Sequence, residues 1–236
     1  MHPASVTRGP TLCPPLDGGP PVPCAVCGRT VHRHPPVCFC CRLTARQLGL
    51  PLVPVVVLGE YRVGDAHHRQ LRGYKDGPTR AARARYRDEL VAGLAAWTRA
   101  HGRQLLDRFG PWSVVTTVPS TWRPGPAPAE TLVEGVPSLA ERHLRLLGRG
   151  RGVVDHLVAA RDGFAPLDGV ERAGLEGLSV LVFEDSLTTG SRAQSAAAAL
   201  RVAGAQVVGI LAMGRALAPP APVGARSACG PPRQLV

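Results

Sequence analysis

The clearest pattern of apolar and polar positions in the chain lies at residues 180–203. Four apolar residues, 180–183, are too few for a helix and are typical of a buried parallel strand. Two acids follow, and then a short polar segment that contains Gly190. Residues 192–203 are strongly helix-forming and are followed by the helix-ending Gly204. The pattern therefore predicts a strand, a small polar loop and a helix in succession.

Other parts of the chain show weaker patterns of the same kind. Apolar runs predict further strands at residues 52–58, 113–118, 153–159 and 206–213. Apolar residues at helical spacing predict a long helix from residue 79 to about residue 100, and a helix over residues 132–147 that Pro137 interrupts. We expect residues 61–77 to be a polar segment that leads to a turn, and residues 164–178 to be irregular. Strands alternating with helices predict an α/β fold with a Rossmann-like parallel sheet.

Composition divides the chain into four parts. Residues 1–23 are rich in Pro and Gly without periodicity, which predicts a disordered leader. The Pro-, Ala- and Gly-rich residues 216–236 predict a disordered tail. Between them we expect a small cysteine-rich module at residues 24–45 and one α/β domain at residues 50–215.

The cysteine-rich module contains two Cys-x-x-Cys pairs. The pairs are Cys24 with Cys27, and Cys38 with Cys41. Each pair can bind a metal ion on one tight turn, and four thiolates make the closed tetrahedral site of a structural zinc ion. The spacing leaves alternatives open, because Cys40 could replace a member of the second pair and His32 or His34 could join the site.

Overall composition and charge narrow the class of protein. The hydrophobic fraction of 44% supports a real core, and no apolar run reaches the roughly 18 residues of a membrane span. No signal peptide is evident, so we expect the seven cysteines to lie in the reducing cytoplasm. The formal charge of +11 comes almost entirely from scattered Arg, without a dense basic run. A nucleic acid is therefore only one candidate partner.

The polar loop after residue 183 has the chemistry of an anion site. A helix N-terminus offers unpaired backbone N–H groups and the positive end of a dipole, and Gly190 lets the backbone approach a phosphate. The loop hydroxyls belong to Thr188, Thr189 and Ser191. Glu184 and Asp185 would repel a phosphate, so we expect them to face sugar hydroxyls or a metal ion. The alternative is a plain strand, turn and helix capped by Ser191.

Residues 180–191 resemble the phosphoribosyl-diphosphate (PRPP) signature of type I phosphoribosyltransferases. The shared order is four apolar residues, two acids, two variable residues and Thr-Thr-Gly-Ser. In that family the acids hold the ribose hydroxyls and the loop binds the 5′-phosphate. Carried over by position, the PRPP-binding residues would be Glu184, Asp185, Ser186, Leu187, Thr188, Thr189, Gly190 and Ser191.

The order of further segments sharpens this resemblance. The paired cysteines, a Tyr-Lys-Asp-Gly segment at residues 74–77 and a Val-Pro strand end at residues 118–119 precede the signature. Together they resemble the ComF family of phosphoribosyltransferase-like proteins over about residues 24–215. The resemblance implies transfer of ribose-5-phosphate from PRPP to a nitrogen nucleophile, with release of diphosphate and Mg²⁺ bridging oxygens of the substrate. It also implies a structural zinc ion, an association with DNA uptake in competence, and the homodimer that is common in such enzymes.

The resemblance also suggests where the diphosphate would bind. The matching loop follows an earlier strand and contains Pro119, Ser120 and Thr121. Lys75, the only lysine, could reach the diphosphate as a point charge. The alternatives are a plain turn after the strand and a solvated surface lysine.

The chain departs from the family on the acceptor side. The Arg-Arg-x-x-x-Gly-Phe-Asn-Gln-type segment that follows this loop in many members is missing, and residues 122–126 read Trp-Arg-Pro-Gly-Pro. Thr188 stands where oxopurine transferases usually carry an acid, which argues against a hypoxanthine or guanine acceptor. The acceptor therefore stays open, and so does a non-catalytic role as a PRPP-binding or DNA-uptake accessory protein.

Overall fold

The computed structural model describes residues 21–31, 36–121, 125–170 and 172–217. Almost all of the predicted leader and tail lies outside these ranges, and so do His32, His34 and residues 122–124. In the described part of the chain the strands are β1 (Val22–Pro23), β2 (Thr30–Val31), β3 (Val55–Tyr61), β4 (Val114–Thr117), β5 (Leu147–Arg149), β6 (Phe164–Pro166), β7 (Ser179–Leu187) and β8 (Gln206–Ala216). The helices there are α1 (Phe39–Leu48), α2 (Ala66–Asp76), α3 (Arg80–Phe109), α4 (Glu130–Glu134), α5 (Pro137–Ala140), α6 (Arg172–Leu175) and α7 (Ser191–Val202).

A four-stranded parallel sheet in the order β3-β8-β7-β4 forms the centre of the fold. Val182 of β7 lies opposite Ile210 of β8 on one side and Thr116 of β4 on the other. The predicted α/β class with a Rossmann-like parallel sheet is confirmed in these general terms. Two antiparallel pairs, β1 with β2 and β5 with β6, lie outside this sheet.

The sheet separates two hydrophobic layers. Val180 and Val182 pack into one layer together with α7 and the cysteine-rich module. Leu181 and Phe183 pack into the other layer with α2 and α3, because successive residues of a strand point to opposite faces. Helices therefore cover the sheet on both faces, as the near-continuous apolar strands require. No helix in the described ranges is both long enough and apolar enough to cross a membrane.

The prediction of a polar segment and turn over residues 61–77 is wrong for most of its length. Asp65 caps α2 by accepting the N–H of His68 at 2.8 Å. Only Leu71 and Tyr74 of this helix are buried, so its apolar stripe is too sparse to stand out in the sequence. The Tyr-Lys-Asp segment is thus the last turn of a helix.

The long helix α3 continues beyond the predicted end near residue 100. A single glycine inside a helix costs only about 1 kcal/mol, so Gly102 does not end it. Burial of Leu105 and Phe109 in the following turns stabilises the extension. The helix ends at Gly110, whose N–H donates to the carbonyl of Leu106 at 2.8 Å.

Three further element predictions need correction. Residues 132–147 form no single helix, because α5 starts a new helix at Pro137 and the chain then runs beside β4. Residues 153–159 contain no strand, since they turn back between β5 and β6 and Val153 is 75% exposed. The region predicted to be irregular, residues 164–178, contains β6 and α6.

Candidate functional site

The polar loop between β7 and α7 lies at the carboxyl end of the central sheet. Gly190 occupies the position before the helix with a φ of 90°, which a residue with a side chain rarely adopts. The first-turn N–H groups of α7 have no acceptor within the helix and point toward this loop. A cavity of about 210 Å³ lies here, lined by the loop, Glu184, Asp155 and His156. Its size suits a phosphate or a pentose phosphate better than a large ligand.

Glu184 and Asp185 lie within β7, which continues to Leu187 instead of ending before the acids as we expected. Both acids are only 4% exposed. As neighbours on a strand they point to opposite faces of the sheet. Glu184 lines the cavity, whereas Asp185 lies on the side of α2. The two acids are therefore in different environments.

Asp185 already has two partners from α2. The ammonium of Lys75 lies 2.6 Å from its Oδ2 atom, and the hydroxyl of Tyr74 donates a hydrogen bond to the same oxygen. These contacts neutralise a carboxylate that would be costly to bury alone. The structure thus brings Lys75 to the predicted site, next to the signature acids. Binding of a diphosphate by Lys75 stays a prediction.

Glu184 lies in the opposite situation. Burial raises its pKa from the ordinary value of 4.5 to about 7, and the neighbouring charge of Asp185 adds to this rise. The guanidinium of Arg192 opposes the effect by favouring the carboxylate. Glu184 can therefore exchange a proton near neutral pH while it faces the cavity.

The hydroxyl groups of the loop contact the segment between β5 and β6. Both Thr189 and Ser191 donate to the backbone carbonyl of His156, the latter at 3.1 Å. The hydroxyl of Ser186 contacts that of Tyr61 on β3. A phosphate that is to accept hydrogen bonds from Thr189 and Ser191 must displace the His156 carbonyl.

Arg192 connects this loop to the predicted diphosphate loop. Its guanidinium donates to the carbonyl of Pro119 at 3.1 Å. Within the described residues its Nε atom is buried and has no hydrogen-bond partner. Pro119 and Ser120 line a second cavity of about 240 Å³, whereas Thr121 follows outside that lining. Two of the three predicted residues thus face a cavity beside the signature, and their role stays a prediction.

An ion pair between the buried Glu130 and the partly exposed Arg145 lines the second cavity. Glu130 is 6% exposed and its two carboxylate oxygens accept three hydrogen bonds from Arg145 at 3.0–3.2 Å. Its Oε1 atom also accepts the N–H of Ala127 at 2.7 Å. These bonds fix Ala127 and Glu130, which follow the predicted diphosphate loop, against Arg145.

The four predicted metal ligands come together in the structure. The sulfur atoms of Cys24, Cys27, Cys38 and Cys41 all lie within 4.8 Å of one another, and all four residues are buried. The separation of 3.8 Å between the sulfurs of Cys27 and Cys38 equals that of ligands placed about 2.3 Å from a tetrahedral zinc ion. Cys40 is not part of the group. His32 and His34 lie outside the described residues. The cluster could therefore hold a metal ion such as zinc.

The thiols of the cluster share their protons unequally. Hydrogen bonds from the thiols of Cys27 and Cys41 lower the pKa of Cys38 to about 3, whereas hydrogen bonds with Cys27 and Cys38, together with burial, raise the pKa of the Cys41 thiol far above its ordinary value. The Cys38 sulfur also accepts the backbone N–H of Cys41 at 3.4 Å and so caps helix α1. A soft, partly ionised sulfur cluster in a buried position is the donor set that zinc prefers.

No protein-family model matches this chain, and no curated protein matches it either.

Several residues of the site were missed in the sequence. Tyr61, Tyr74, His156 and Arg192 all contact the predicted signature. Arg192 directly follows the signature, and Tyr74 directly precedes Lys75, the only lysine of the chain. Their positions next to predicted site residues could have identified these two. Tyr61 and His156 come from distant parts of the chain and had none.

Proposed function

We propose that the protein binds PRPP at the carboxyl end of β7 and transfers its ribose-5-phosphate group to a nitrogen nucleophile. The observation that carries the proposal is the cavity at the N-terminus of α7, which combines a left-handed Gly190, hydroxyl donors and a buried carboxylate. An N-terminal helical turn attracts the phosphate, and Glu184 accepts hydrogen bonds from sugar hydroxyls. The specific phosphoribosyltransferase type of the α/β fold belongs to this proposal.

The proposed reaction requires separation of charge at the anomeric carbon. The C1′–O bond to the diphosphate breaks, a C1′–N bond to the acceptor forms, and the acceptor nitrogen releases a proton. The transition state resembles an oxocarbenium ion, so positioning and stabilisation of the leaving diphosphate supply most of the catalysis. In this proposal Lys75 and the backbone of residues 119–121 stabilise that leaving group.

We propose that a magnesium ion binds together with the substrate. Within the described residues, the four cysteines are the only group of three or more potential ligands that gathers around one point. Asp185 is neutralised by Lys75, and the acids that line the cavity are Glu184 and Asp155. We therefore propose that Mg²⁺ is held mainly by the diphosphate and its waters, where it offsets negative charge. The four-cysteine centre holds zinc in a structural role.

Calorimetric titration tests the proposal directly. The zinc-loaded protein is titrated with PRPP and Mg²⁺, and with ribose-5-phosphate as a control that lacks the diphosphate. We expect micromolar binding of PRPP and clearly weaker binding of ribose-5-phosphate. Absence of heat with PRPP at millimolar concentration would contradict the proposal. Release of diphosphate with ammonia or a nucleobase then identifies the acceptor class.

A non-catalytic PRPP-binding role is the second candidate. It is favoured by the engagement of Thr189 and Ser191 with the His156 carbonyl, and of Asp185 with Lys75. Binding of PRPP without diphosphate release in the presence of varied nitrogen nucleophiles would favour this role. Fluorescence anisotropy with single-stranded DNA over a salt series tests the DNA-uptake version, because phosphate contacts weaken steeply with salt.

A further inference from the structure

The four-cysteine module, residues 21–31 together with α1, contacts the candidate phosphate loop directly. The guanidinium of Arg29 donates to the backbone carbonyl of Thr188 at 3.1 Å. Thr188 lines the cavity at the loop. The backbone of Arg29 is in turn fixed to a cysteine of the centre, because its carbonyl accepts the N–H of Cys24 at 2.7 Å. One residue thus connects a metal ligand to the loop.

A second contact comes from helix α1. The hydroxyl of Thr44 lies 3.4 Å from the hydroxyl of Ser191, and both residues are 2% exposed. Thr44 follows Cys41 by one helical turn, and the sulfur of Cys38 caps the same helix. The position of Thr44 therefore depends on two of the four cysteines. Ser191 is the first residue of α7, where the phosphate would bind.

A third contact joins the module to the carboxyl end of the central sheet. The guanidinium of Arg215 donates to the backbone carbonyl of Cys27, and it lies 3.3 Å from a carboxylate oxygen of Glu60. Arg215 is 3% exposed and lies opposite Leu187, the last residue of β7. The module is thus packed against the strand end from which the phosphate loop starts.

We infer that the metal ion of the four-cysteine centre positions the phosphate loop, so that metal binding and phosphate binding strengthen each other. This inference rests on the proposed function. The metal crosslinks the turn before Arg29 to the start of α1, and without it four buried sulfurs no longer hold these segments together. Arg29 and Thr44 would then lose their fixed positions against Thr188 and Ser191. Both act as positioning residues of the anion site.

The coupling has a quantitative consequence. If zinc raises the affinity for PRPP by some factor, then PRPP must raise the affinity for zinc by the same factor. Couplings of this kind are typically between about 5-fold and 150-fold. A module that merely covers the hydrophobic layer would leave both affinities independent.

Two variants separate the coupling from general stability. Arg29→Gln replaces the guanidinium that donates to Thr188 with a shorter, uncharged amide and leaves every cysteine in place. Arg46→Gln is the matched control, because Arg46 is an exposed residue of helix α1 in the same module and its substitution removes the same charge. Circular dichroism and metal analysis check that both variants fold and carry zinc.

The experiment measures PRPP affinity by calorimetry for zinc-loaded and chelator-stripped protein, and zinc affinity by competition with a chromogenic chelator with and without saturating PRPP. We expect stripping to weaken PRPP binding at least about 5-fold, and PRPP to tighten zinc binding by the same factor. In Arg29→Gln, PRPP binding should weaken about 5-fold at full zinc occupancy, and the reciprocal factor should fall below its wild-type value because only the contact of Thr44 with Ser191 then remains. Arg46→Gln should behave as the wild type.

The outcomes distinguish the inference from the proposed function. If the zinc-loaded wild type binds no PRPP, the proposed function fails and the coupling fails with it. If it binds PRPP and Arg29→Gln binds equally well, the proposed function stands and the coupling is wrong. The wild type and Arg29→Gln are compared with zinc bound in both, so the test of the coupling remains valid even if removal of zinc unfolds the chain.

Discussion

Lys75 and Asp185 form an ion pair of 2.6 Å between the last turn of α2 and the central strand β7. The side chain of Asp185 is 6% exposed and that of Lys75 is 22% exposed. The only lysine of the chain thus neutralises a carboxylate inside the predicted PRPP signature. A diphosphate near Lys75 would compete with Asp185 for the ammonium group, which makes the pair sensitive to a ligand.

Removal of Lys75 should destabilise the fold. Lys75→Met leaves the Asp185 carboxylate buried without its counter-charge, and we expect a loss of about 2 kcal/mol in the free energy of unfolding. Adding Asp185→Asn to this variant should recover most of the loss, because the buried charge is then gone. Urea denaturation measures both effects.

The control for this prediction is the exposed pair of Arg72 and Asp76, 3.3 Å apart. Arg72→Met should change stability by less than about 1 kcal/mol, since exposed ion pairs contribute little. Equal losses in Lys75→Met and Arg72→Met would contradict the structural importance of the buried pair.

The raised pKa of Glu184 predicts a pH-dependent stability. In the unfolded chain this carboxyl ionises near its ordinary pKa of 4.5, whereas in the fold it ionises near 7. Between these values the folded state keeps a proton that the unfolded state has released, so stability falls as the pH rises from about 4.5 to 7. Above pH 7 the loss is complete and constant.

Glu184→Gln removes this titration. We expect the difference in Tm between the variant and the wild type to become more positive from pH 5 to pH 8, measured by calorimetry. The exposed Glu141 provides a matched control, and Glu141→Gln should show little pH dependence of its own. A pH-independent difference for Glu184→Gln would show that Glu184 ionises normally.

Two glycines should respond in opposite ways to the same substitution. Gly190→Ala forces a side chain into a φ of 90° and should cost about 1 kcal/mol of stability. Gly102 lies inside α3, and a Cβ atom added there would have no other atom within 4 Å. Gly102→Ala should therefore raise the free energy of unfolding by about 0.5–1 kcal/mol. Thermal unfolding compares the two. Shifts of Tm in the same direction would contradict the assigned backbone conformations.

The four-cysteine centre predicts which thiols bind zinc. Cys24→Ser and Cys41→Ser should each lose the metal, measured by elemental analysis of protein purified in zinc, and should unfold at lower temperature. Cys40→Ser should keep a full zinc content, because Cys40 lies outside the cluster. Zinc loss in the Cys40 variant, or retention in both others, would require a different ligand set.

The local sequence predicts those elements in which many neighbouring residues are buried or occur at a regular spacing. Residues 180–183 are buried on both faces of the sheet, so their continuous apolar run identifies a strand. The paired cysteine spacing identifies the four-cysteine cluster for a similar reason, since each pair occupies one turn. Helix α2 was missed because only Leu71 and Tyr74 anchor it and its N-cap, Asp65, stands in a polar context.

The rest of the site depends on contacts between distant residues. Arg29 meets Thr188 and His156 meets Thr189, and neither pair leaves a trace in the local sequence. The strand end was also misplaced, because hydrogen bonds to β8 extend β7 through both acids to Leu187.

The opposite orientation of Glu184 and Asp185 has a consequence for motion. Glu184 belongs to the face of the sheet that carries α7, and Asp185 to the face that carries α2. A sugar that engages both carboxylates spans the edge of the sheet and contacts the two layers at once. Local opening of either layer then requires release of the same ligand. Backbone amides of α7 and α2, on opposite sides of the molecule, should therefore slow their hydrogen exchange together when the ligand binds.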